Sequence, residues 1–422
     1  MRAKLNILSA LAVGIVGGVI ASACQTYDFE PVEPLALAQT TVGDVIRAKA
    51  LKPNLMVLLD TSGSMTLPVN QADPDCKVAG GTPPNDICGQ PGGTNCDVNT
   101  CPTRWSELRG AMSTFLGNSG SIARMGLTTY PNSNGTTSTQ CFASSAVRIA
   151  IPQVEDTDSA ALQNAASQIS SEILNKPING QGGPSGGTPT SESLKFVSSL
   201  TELQGTDRDD FVLLLTDGLP NCNSANPNAG NPATCRCTQA TCGTSPLGCL
   251  DKDASVQAVT NLRNPEKEKD IRTIVIGFGA ETASGVGPET LNAMAEAGGF
   301  ARNCVNDDNA CGAGDTCDPV SKLCGRRFYQ AANQQELANA LAQIINRIGD
   351  TNPCLLALTA AQLPSDPSLI VVYVNDAPME SGPNTWELTS AGVEFKGDTC
   401  NRILGSTNTN PIKLEARAVQ RK

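Results

Sequence analysis

The chain of 422 residues contains no histidine, and only 4% of its residues are aromatic. Without an imidazole it cannot form a Ser-His-Asp or Cys-His nucleophile, a His-ligated zinc site or a histidine pH switch. The scarcity of aromatic side chains leaves few platforms on which bases or sugar rings could stack. These absences exclude several common enzyme classes and disfavour nucleic-acid binding.

Positive charge is also scarce, because 30 Lys and Arg residues face 41 Asp and Glu residues and the formal net charge is −11. An acidic surface repels nucleic acid and anionic lipid, so we expect no nucleic-acid partner. The length and a hydrophobic content of 40% suffice for one sizeable α/β domain with a smaller unit attached.

Cysteine, in contrast, is abundant, and 17 cysteines in a chain without histidine indicate disulfides and an oxidising compartment rather than zinc sites. Cys24 follows a basic start, the apolar stretch Leu5–Ile20 and three small residues, Ala-Ser-Ala. Segment 1–24 resembles a bacterial lipoprotein signal. That resemblance implies export, a lipid on Cys24 and attachment to the outer membrane or another surface of the cell envelope. Ala21 stands where the signal usually has Leu, so secretion without lipid and an uncleaved membrane anchor stay open as alternatives.

If Cys24 carries a lipid, 17 − 1 leaves 16 cysteines, which can pair completely. They are Cys76, Cys88, Cys96, Cys101, Cys141, Cys222, Cys235, Cys237, Cys242, Cys249, Cys304, Cys311, Cys317, Cys324, Cys354 and Cys400. Most lie in three insertions, 67–103, 221–250 and 303–325, which we expect to be loops with local bridges. The insertion 221–250 holds an odd number of cysteines, so Cys141 is predicted to bridge to it. The insertion 303–325 resembles the short cysteine-rich repeats of myxobacterial surface proteins.

The order of hydrophobic patterns predicts an α/β fold over 51–350, after a tether at 25–50. Strand-length apolar runs alternate with segments of helical period, which favours a doubly wound, mostly parallel sheet. The predicted strands are Leu55–Asp60, Met125–Tyr130, Ala146–Ile151, Phe211–Thr216, Ile271–Gly277 and Arg327–Gln330. The predicted helices are Trp105–Leu116, Ser159–Leu174, Thr190–Leu200, Ala254–Arg263, Pro288–Ala297 and Gln334–Ile348.

The remaining residues, 351–422, change to short alternating segments that predict a small β unit. Its expected strands are Leu369–Val374, Thr385–Leu388, Gly392–Lys396 and Ile412–Ala418, and Cys354 is predicted to pair with Cys400. We expect this unit to be a structural cap or spacer.

Polar side chains follow the first buried strand, in the order Asp60-Thr61-Ser62-Gly63-Ser64. Ligands bind to open α/β sheets at such strand ends, and oxygen side chains in a tight turn suit a hard cation. This Asp-x-Ser-x-Ser pattern resembles the metal-ion-dependent adhesion site of von Willebrand factor type A domains. That family also has a Thr in a Gly-rich loop and an Asp after the next strand, and Thr188 and Asp217 stand at those places.

The resemblance implies that Asp60, Ser62, Ser64, Thr188 and Asp217 bind a divalent cation, with Mg²⁺ as the first choice and Mn²⁺ or Ca²⁺ as alternatives. Thr190 is the rival of Thr188. An acidic group of a partner macromolecule would complete the coordination shell, so the expected function is adhesion. The alternative is a disulfide-braced surface scaffold in which the metal is structural only.

We expect no enzyme. Asp60-Thr61-Ser62-Gly63 superficially resembles the Asp-Thr-Gly of aspartic proteases, but a serine intervenes and the chain has no second such motif. A dehalogenase-type phosphatase would need a second Asp where Ser62 stands.

Overall fold

The computed structural model of the protein describes residues 35–41, 52–83, 86–90, 92–132, 141–156, 158–205, 208–229, 231, 233–238, 242, 246–264, 269–304, 310–349, 354–358, 366–389, 392–404 and 412–418. The chain forms two compact units. The larger comprises Thr41–Cys354 and Cys400–Ile412, and the smaller comprises Met1–Thr40, Leu355–Thr399 and Lys413–Lys422. Cys24 and the predicted signal segment 1–24 lie outside the described residues. Within them, no helix combines the length and the apolar character needed to cross a membrane.

Strands and helices alternate along most of the chain. The strands are β1 (Leu35–Thr41), β2 (Asn54–Asp60), β3 (Arg124–Tyr130), β4 (Asp210–Thr216), β5 (Arg263–Asn264), β6 (Lys269–Phe278), β7 (Tyr329–Ala331), β8 (Leu355–Ala357), β9 (Ile370–Val374), β10 (Ala377–Met379), β11 (Trp386–Thr389), β12 (Gly392–Phe395) and β13 (Lys413–Ala418). The helices are α1 (Arg104–Ser119), α2 (Ser159–Asn175), α3 (Thr190–Ser198), α4 (Lys252–Leu262), α5 (Ala280–Ala283), α6 (Gly287–Ala297), α7 (Gln334–Gly349) and α8 (Gly397–Leu404).

The larger unit is built on a sheet in the order β3-β2-β4-β6-β5, with β7 also paired to β6. The strands β3, β2, β4, β6 and β7 are parallel, and the short β5 is antiparallel to β6. The predicted α/β class with a mostly parallel central sheet is confirmed.

The sheet is covered by helices on both faces, because its central strands are apolar on both sides. Leu55, Val57 and Leu59 of β2 pack into a core with α1, α2 and α7, whereas Met56 and Leu58 pack into a second core with α3, α4 and α6. A strand buried on both faces reads as a continuous apolar run, as in β2. The carboxyl ends of β2 and β4 therefore meet at one edge of a rigid sheet.

One predicted strand, Ala146–Ile151, was wrong. The segment lies along β3, but it makes a single antiparallel bridge, between Ile149 and Leu127. Ala146 and Arg148 are exposed, and the backbone pairing ends after this one residue pair. Alternating hydrophobicity indicates which side chains are buried, whereas a strand also requires successive main-chain hydrogen bonds to a neighbouring strand.

The disulfides follow the predicted grouping. Bridges join Cys76–Cys101, Cys88–Cys96, Cys141–Cys222, Cys235–Cys249, Cys237–Cys242, Cys304–Cys317, Cys311–Cys324 and Cys354–Cys400. The three insertions are closed mainly by local bridges, and the predicted pairings of Cys141 with the insertion 221–250 and of Cys354 with Cys400 are confirmed.

The smaller unit contains two sheets, β1-β13-β9-β10 and β11-β12-β8. The four strands predicted for the C-terminal part of the chain are present, with ends shifted by at most one residue. Leu35–Thr41, inside the segment expected to be a tether, forms the strand β1 instead. Its place beside β13 depends on main-chain pairing between distant parts of the chain, which local periodicity does not record.

Candidate functional site

Asp60 is the last residue of β2 and is fully buried. Its Oδ1 accepts a hydrogen bond from the backbone N–H of Ser62 at 2.8 Å. Its Oδ2 accepts the hydroxyl of Thr216 at 2.7 Å, and Thr216 ends the adjacent strand β4. The carboxyl ends of two neighbouring parallel strands thus hold this carboxylate in one orientation.

The two serines after β2 reach toward the second predicted carboxylate. The hydroxyl oxygens of Ser62 and Ser64 lie 3.0 Å apart. Ser64 donates to Oδ1 of Asp217 at 2.9 Å, and Asp217 directly follows β4. A single 3₁₀ turn, Gly63–Thr66, folds the loop back over the strand end. Ser62, Ser64 and Asp217 therefore form a continuous series of oxygen atoms at the sheet edge.

The Gly-rich loop before α3 is fastened to the loop after β2. The N–H of Gly63 donates to the carbonyl of Gly186 at 2.9 Å, and the N–H of Ser185 donates to the carbonyl of Thr61 at 2.9 Å. Gly186 has a φ of +89°, a conformation that glycine adopts without a Cβ clash. The two loops consequently lie side by side.

Thr188 occupies the end of this Gly-rich loop. Its N–H donates to the side-chain oxygen of Asn221 at 2.7 Å, and the N–H of Asn221 donates to the Thr188 carbonyl at 2.9 Å. A Cβ placed on Gly218 would lie 3.5 Å from Ser64 Oγ and 3.7 Å from Thr188 Oγ1, so the two hydroxyls border one small space. The hydroxyl of the rival Thr190 donates to the Thr188 carbonyl at 3.4 Å. The structure thus places the hydroxyls of Thr188 and Ser64 within 4 Å of one point beside Gly218.

Negative charge accumulates at this point. Burial, and then the charge of Asp217, raise the pKa of Asp60 from 3.8 to about 7, against the hydrogen bonds from Ser62 and Thr216. Arg104, the first residue of α1, donates from Nη1 to Oδ2 of Asp217 at 2.8 Å. Two carboxylates beside one guanidinium leave one negative charge in excess.

This set of donors suits a hard divalent cation. Asp60 and Asp217 offer carboxylate oxygens, and Ser62, Ser64 and Thr188 offer hydroxyl oxygens, which are the ligands that Mg²⁺, Mn²⁺ and Ca²⁺ prefer. A cation would also compensate the charge of Asp217, which after burial is the second cause of the raised pKa of Asp60. The five predicted residues therefore fit a divalent cation in chemistry and in charge.

The chain matches no protein family and no curated protein. Among solved structures it is similar to the pilus adhesin SpaC from Lactobacillus rhamnosus GG, with a TM-score of 0.37, 12% identity, and coverage of 88% of this chain and 40% of that chain. It is similar to the PilB minor pilin from Streptococcus sanguinis, with a TM-score of 0.37, 13% identity and coverage of 71% and 61%. The manganese-loaded TRAP protein of Plasmodium vivax gives a TM-score of 0.33, 15% identity and coverage of 73% and 76%. The chain spans about two fifths of the length of SpaC, and at these identities the similarity concerns the fold alone.

Three residues of the site were missed by the sequence analysis. Thr216 stands directly before Asp217, and Asn221 stands four residues after it, so their position near the motif was the only available signal. Arg104 carried no signal, because the insertion 67–103 separates it from the motif and only the packing of α1 brings it to Asp217.

Two groups of cysteines also lie close enough to suggest a metal site. The sulfur atoms of Cys88, Cys96 and Cys101 lie within 4.8 Å of one another, as do those of Cys235, Cys237 and Cys242. Each of these sulfurs belongs to a disulfide and has no thiolate to offer a metal. We interpret both groups as disulfide clusters.

Proposed function

We propose that the chain is an exported binding protein whose larger unit is a von Willebrand factor type A domain with a metal-ion-dependent adhesion site. The observation that carries this proposal is a pair of contacts beside the buried Asp60. The hydroxyl of Ser64 lies 3.0 Å from that of Ser62 and 2.9 Å from Oδ1 of Asp217. Thr188, whose hydroxyl borders the same space beside Gly218 as that of Ser64, completes the set. Mg²⁺ is the first choice of cation, with Mn²⁺ and Ca²⁺ as alternatives.

The charge of the site determines what it attracts. Asp60 and Asp217 bring two negative charges and Arg104 brings one positive charge. A bound divalent cation supplies a positive centre with a coordination position for an outside oxygen ligand. The sum of charges is then positive, so the site attracts an acidic group from a partner macromolecule, even though the whole chain has a net charge of −11.

A purely structural metal is the alternative function, and the contacts between the loops argue against it. Gly63 to Gly186 and Ser185 to Thr61 are joined by main-chain hydrogen bonds, and the Cys141–Cys222 disulfide fastens the loop after β4. These contacts hold the loops without any contribution from a cation. We therefore assign a metal at this edge a role in ligand binding rather than in stabilising the fold.

The proposed location is the cell envelope. The eight disulfides of the described residues require an oxidising compartment, in keeping with export. Lipidation of Cys24 would tie the protein to a bacterial membrane and present the binding domain at its surface.

Calorimetric titration with MgCl₂ and MnCl₂ tests the metal site. We expect the intact chain to bind one ion and the Asp60→Asn variant to lose this binding, because the substitution keeps the shape but removes a ligand charge. Asp253→Asn, an exposed position on α4, is the matched control and should bind as the unaltered chain does. Equal binding by the Asp60→Asn variant and the unaltered chain would rule out the proposed site.

The binding of acidic peptides tests the proposed adhesive function. Peptides with a single Glu in a Gly-Ser background should bind in Mg²⁺ and dissociate when a chelator is added, since the carboxylate has lost its cation. Carboxylate binding that persists in chelator would contradict the adhesive mechanism and leave the scaffold alternative.

A further inference from the structure

A polar cleft lies at the same edge of the sheet as the proposed metal site. It has a volume of about 260 Å³ and lies at the carboxyl ends of β2 and β3, against the end of α2. Thr61, which precedes Ser62 of the metal loop, is part of its wall. The cleft and the metal loop therefore share one segment of backbone.

Two positive side chains line this cleft. Lys176 is half-buried, and its Nζ donates to the carbonyl of Gly182 at 3.2 Å. Arg148 is exposed, and its Nη2 donates to the side-chain oxygen of Asn132 at 3.2 Å. Within the part of the chain that the structure describes, neither cation forms an ion pair with a carboxylate.

The two cations lie close enough to affect each other. Burial, and then the charge of Arg148, lower the pKa of Lys176, and the charge of Glu172 opposes this change. Glu172 also lines the cleft, so two positive charges and one negative charge face its interior. This local excess of positive charge contrasts with the net charge of −11 of the whole chain. It gives an anionic ligand a local counter-charge.

The accessible lining of the cleft is polar. Thr129 and Asn175 line it beside the two cations, whereas the apolar lining residues Leu59, Trp105 and Leu127 are fully buried beneath it. A carboxylate matches this arrangement, because Arg148 and Lys176 can both donate charge-assisted hydrogen bonds to its oxygens.

We infer that this cleft is a second anion subsite of the adhesion surface, and that the partner is an acidic polypeptide segment with two carboxylates. One carboxylate ligates the cation held by Asp60 and Asp217, and the other enters the cleft and pairs with Arg148 and Lys176. The inference rests on the proposed function, because it needs the first carboxylate at the metal.

Fluorescence anisotropy with matched peptides tests the subsite. One labelled peptide carries a single Glu in a Gly-Ser background, and the others carry a second Glu placed one to four residues away. In Mg²⁺ we expect one spacing to bind about fivefold more tightly than the single-Glu peptide, as one additional ion pair would give. Arg148→Ala and Lys176→Ala should each reduce that gain and leave the single-Glu affinity unchanged.

Lys195→Ala is the charge-matched control, because Lys195 lies on α3, outside the cleft, and pairs with Glu192. It should leave both affinities unchanged. If no spacing exceeds the single-Glu peptide, while that peptide still binds only in Mg²⁺, the subsite is wrong and the proposed function stands. If the cleft variants weaken the single-Glu and the two-Glu peptides equally, the cations attract any acidic peptide non-specifically, and this result also overturns the subsite. If no peptide binds in a Mg²⁺-dependent manner, the proposed function fails and the subsite fails with it.

Discussion

Arg104 and Asp217 form an ion pair of 2.8 Å in which the side chains are only 1% and 0% exposed. The guanidinium binds Oδ2 of Asp217, and this leaves Oδ1 to accept the hydroxyl of Ser64. A Cβ on Gly279 would lie 3.1 Å from Arg104 Nε, so the glycine permits the close approach of its backbone to the guanidinium. Arg104 therefore fixes the orientation of a predicted metal ligand from the side away from the serines.

Replacement of Arg104 is expected to destabilise the protein in a cation-dependent way. Arg104→Met leaves Asp217 buried without its counter-charge, which costs about 3 kcal/mol or more of unfolding free energy in chelator. Mg²⁺ should recover part of this loss, because the cation compensates the same carboxylate. Urea denaturation with and without Mg²⁺ measures both values.

The matched control is Arg208→Met, which breaks the Arg208–Asp156 pair of 3.0 Å at the opposite ends of the strands. It should be destabilised to a similar extent in both conditions, since no proposed ligand is involved. Equal recovery of the two variants in Mg²⁺ would contradict a local effect at Asp217.

In chelator, Asp60 should contribute a loss of stability as the pH rises from 3.8 to about 7. The pKa of Asp60 in the folded state is about 7, above the ordinary 3.8, so the folded protein retains a proton that the unfolded chain releases. Between these pH values the unfolded state binds fewer protons, and Asp60 alone reduces the unfolding free energy by roughly 4 kcal/mol across the interval. Asp60→Asn should flatten this slope, whereas Asp253→Asn should retain it. Equal slopes for the Asp60→Asn variant and the unaltered chain would show that Asp60 retains no such proton.

The two threonines of the Gly-rich loop should differ in their effect on metal affinity. Thr188→Val removes the hydroxyl beside Gly218 and is expected to weaken Mg²⁺ binding by about tenfold, the loss of one polar contact. Thr190→Val removes a bond to the Thr188 carbonyl and should change the affinity less. Calorimetric titration compares the two variants, and the reverse order would make Thr190 the ligand.

Sequence reasoning predicted the elements that carry a strong local pattern. The apolar run of β2 ends at Asp60, and Asp217 directly follows β4, so the pairing of these strands brings both residues to one edge. Thr188 came from the family resemblance. The sheet order itself, β3-β2-β4-β6-β5, is a property of tertiary packing and could not be read from spacing.

The residues that sequence reasoning missed depend on tertiary contacts. Arg104 contacts Asp217 across 113 positions, and the cleft with Arg148 and Lys176 joins the segment beside β3 to the end of α2. Arginines and lysines are common surface residues, so only their positions in the fold distinguish these three. The strand β1 was missed for the same reason, since its partner β13 lies at the other end of the chain.

Loss of the Cys141–Cys222 bridge should disturb the site as well as the fold. The bridge closes a loop with a sequence separation of 81, and its second cysteine follows Asn221, which bonds to Thr188. Loop-closure entropy predicts that Cys141→Ser with Cys222→Ser lowers the unfolding free energy by about 4 kcal/mol. Mg²⁺ affinity should fall too, because Asn221 would no longer be held beside Thr188.

Removal of Cys237–Cys242, with a separation of 5, is the control. It should cost about 2 kcal/mol and leave Mg²⁺ affinity unchanged. Chemical denaturation and metal titration of both double variants separate the two effects. Unchanged metal affinity without Cys141–Cys222 would mean that the hydrogen bonds alone hold the site.

The lipid anchor is tested by the mass of the mature N-terminus. The eight bridges use 16 cysteines, and the remaining one of the 17 is Cys24. We expect a peptide that begins at Cys24 and carries acyl chains, together with a protein in the membrane fraction. Cys24→Ser should lose the acyl chains and the membrane association, because the thioether that holds the lipid can no longer form. An unmodified N-terminus at Cys24 would indicate plain secretion, and a retained segment 1–24 would indicate an uncleaved anchor, so either result would refute lipidation.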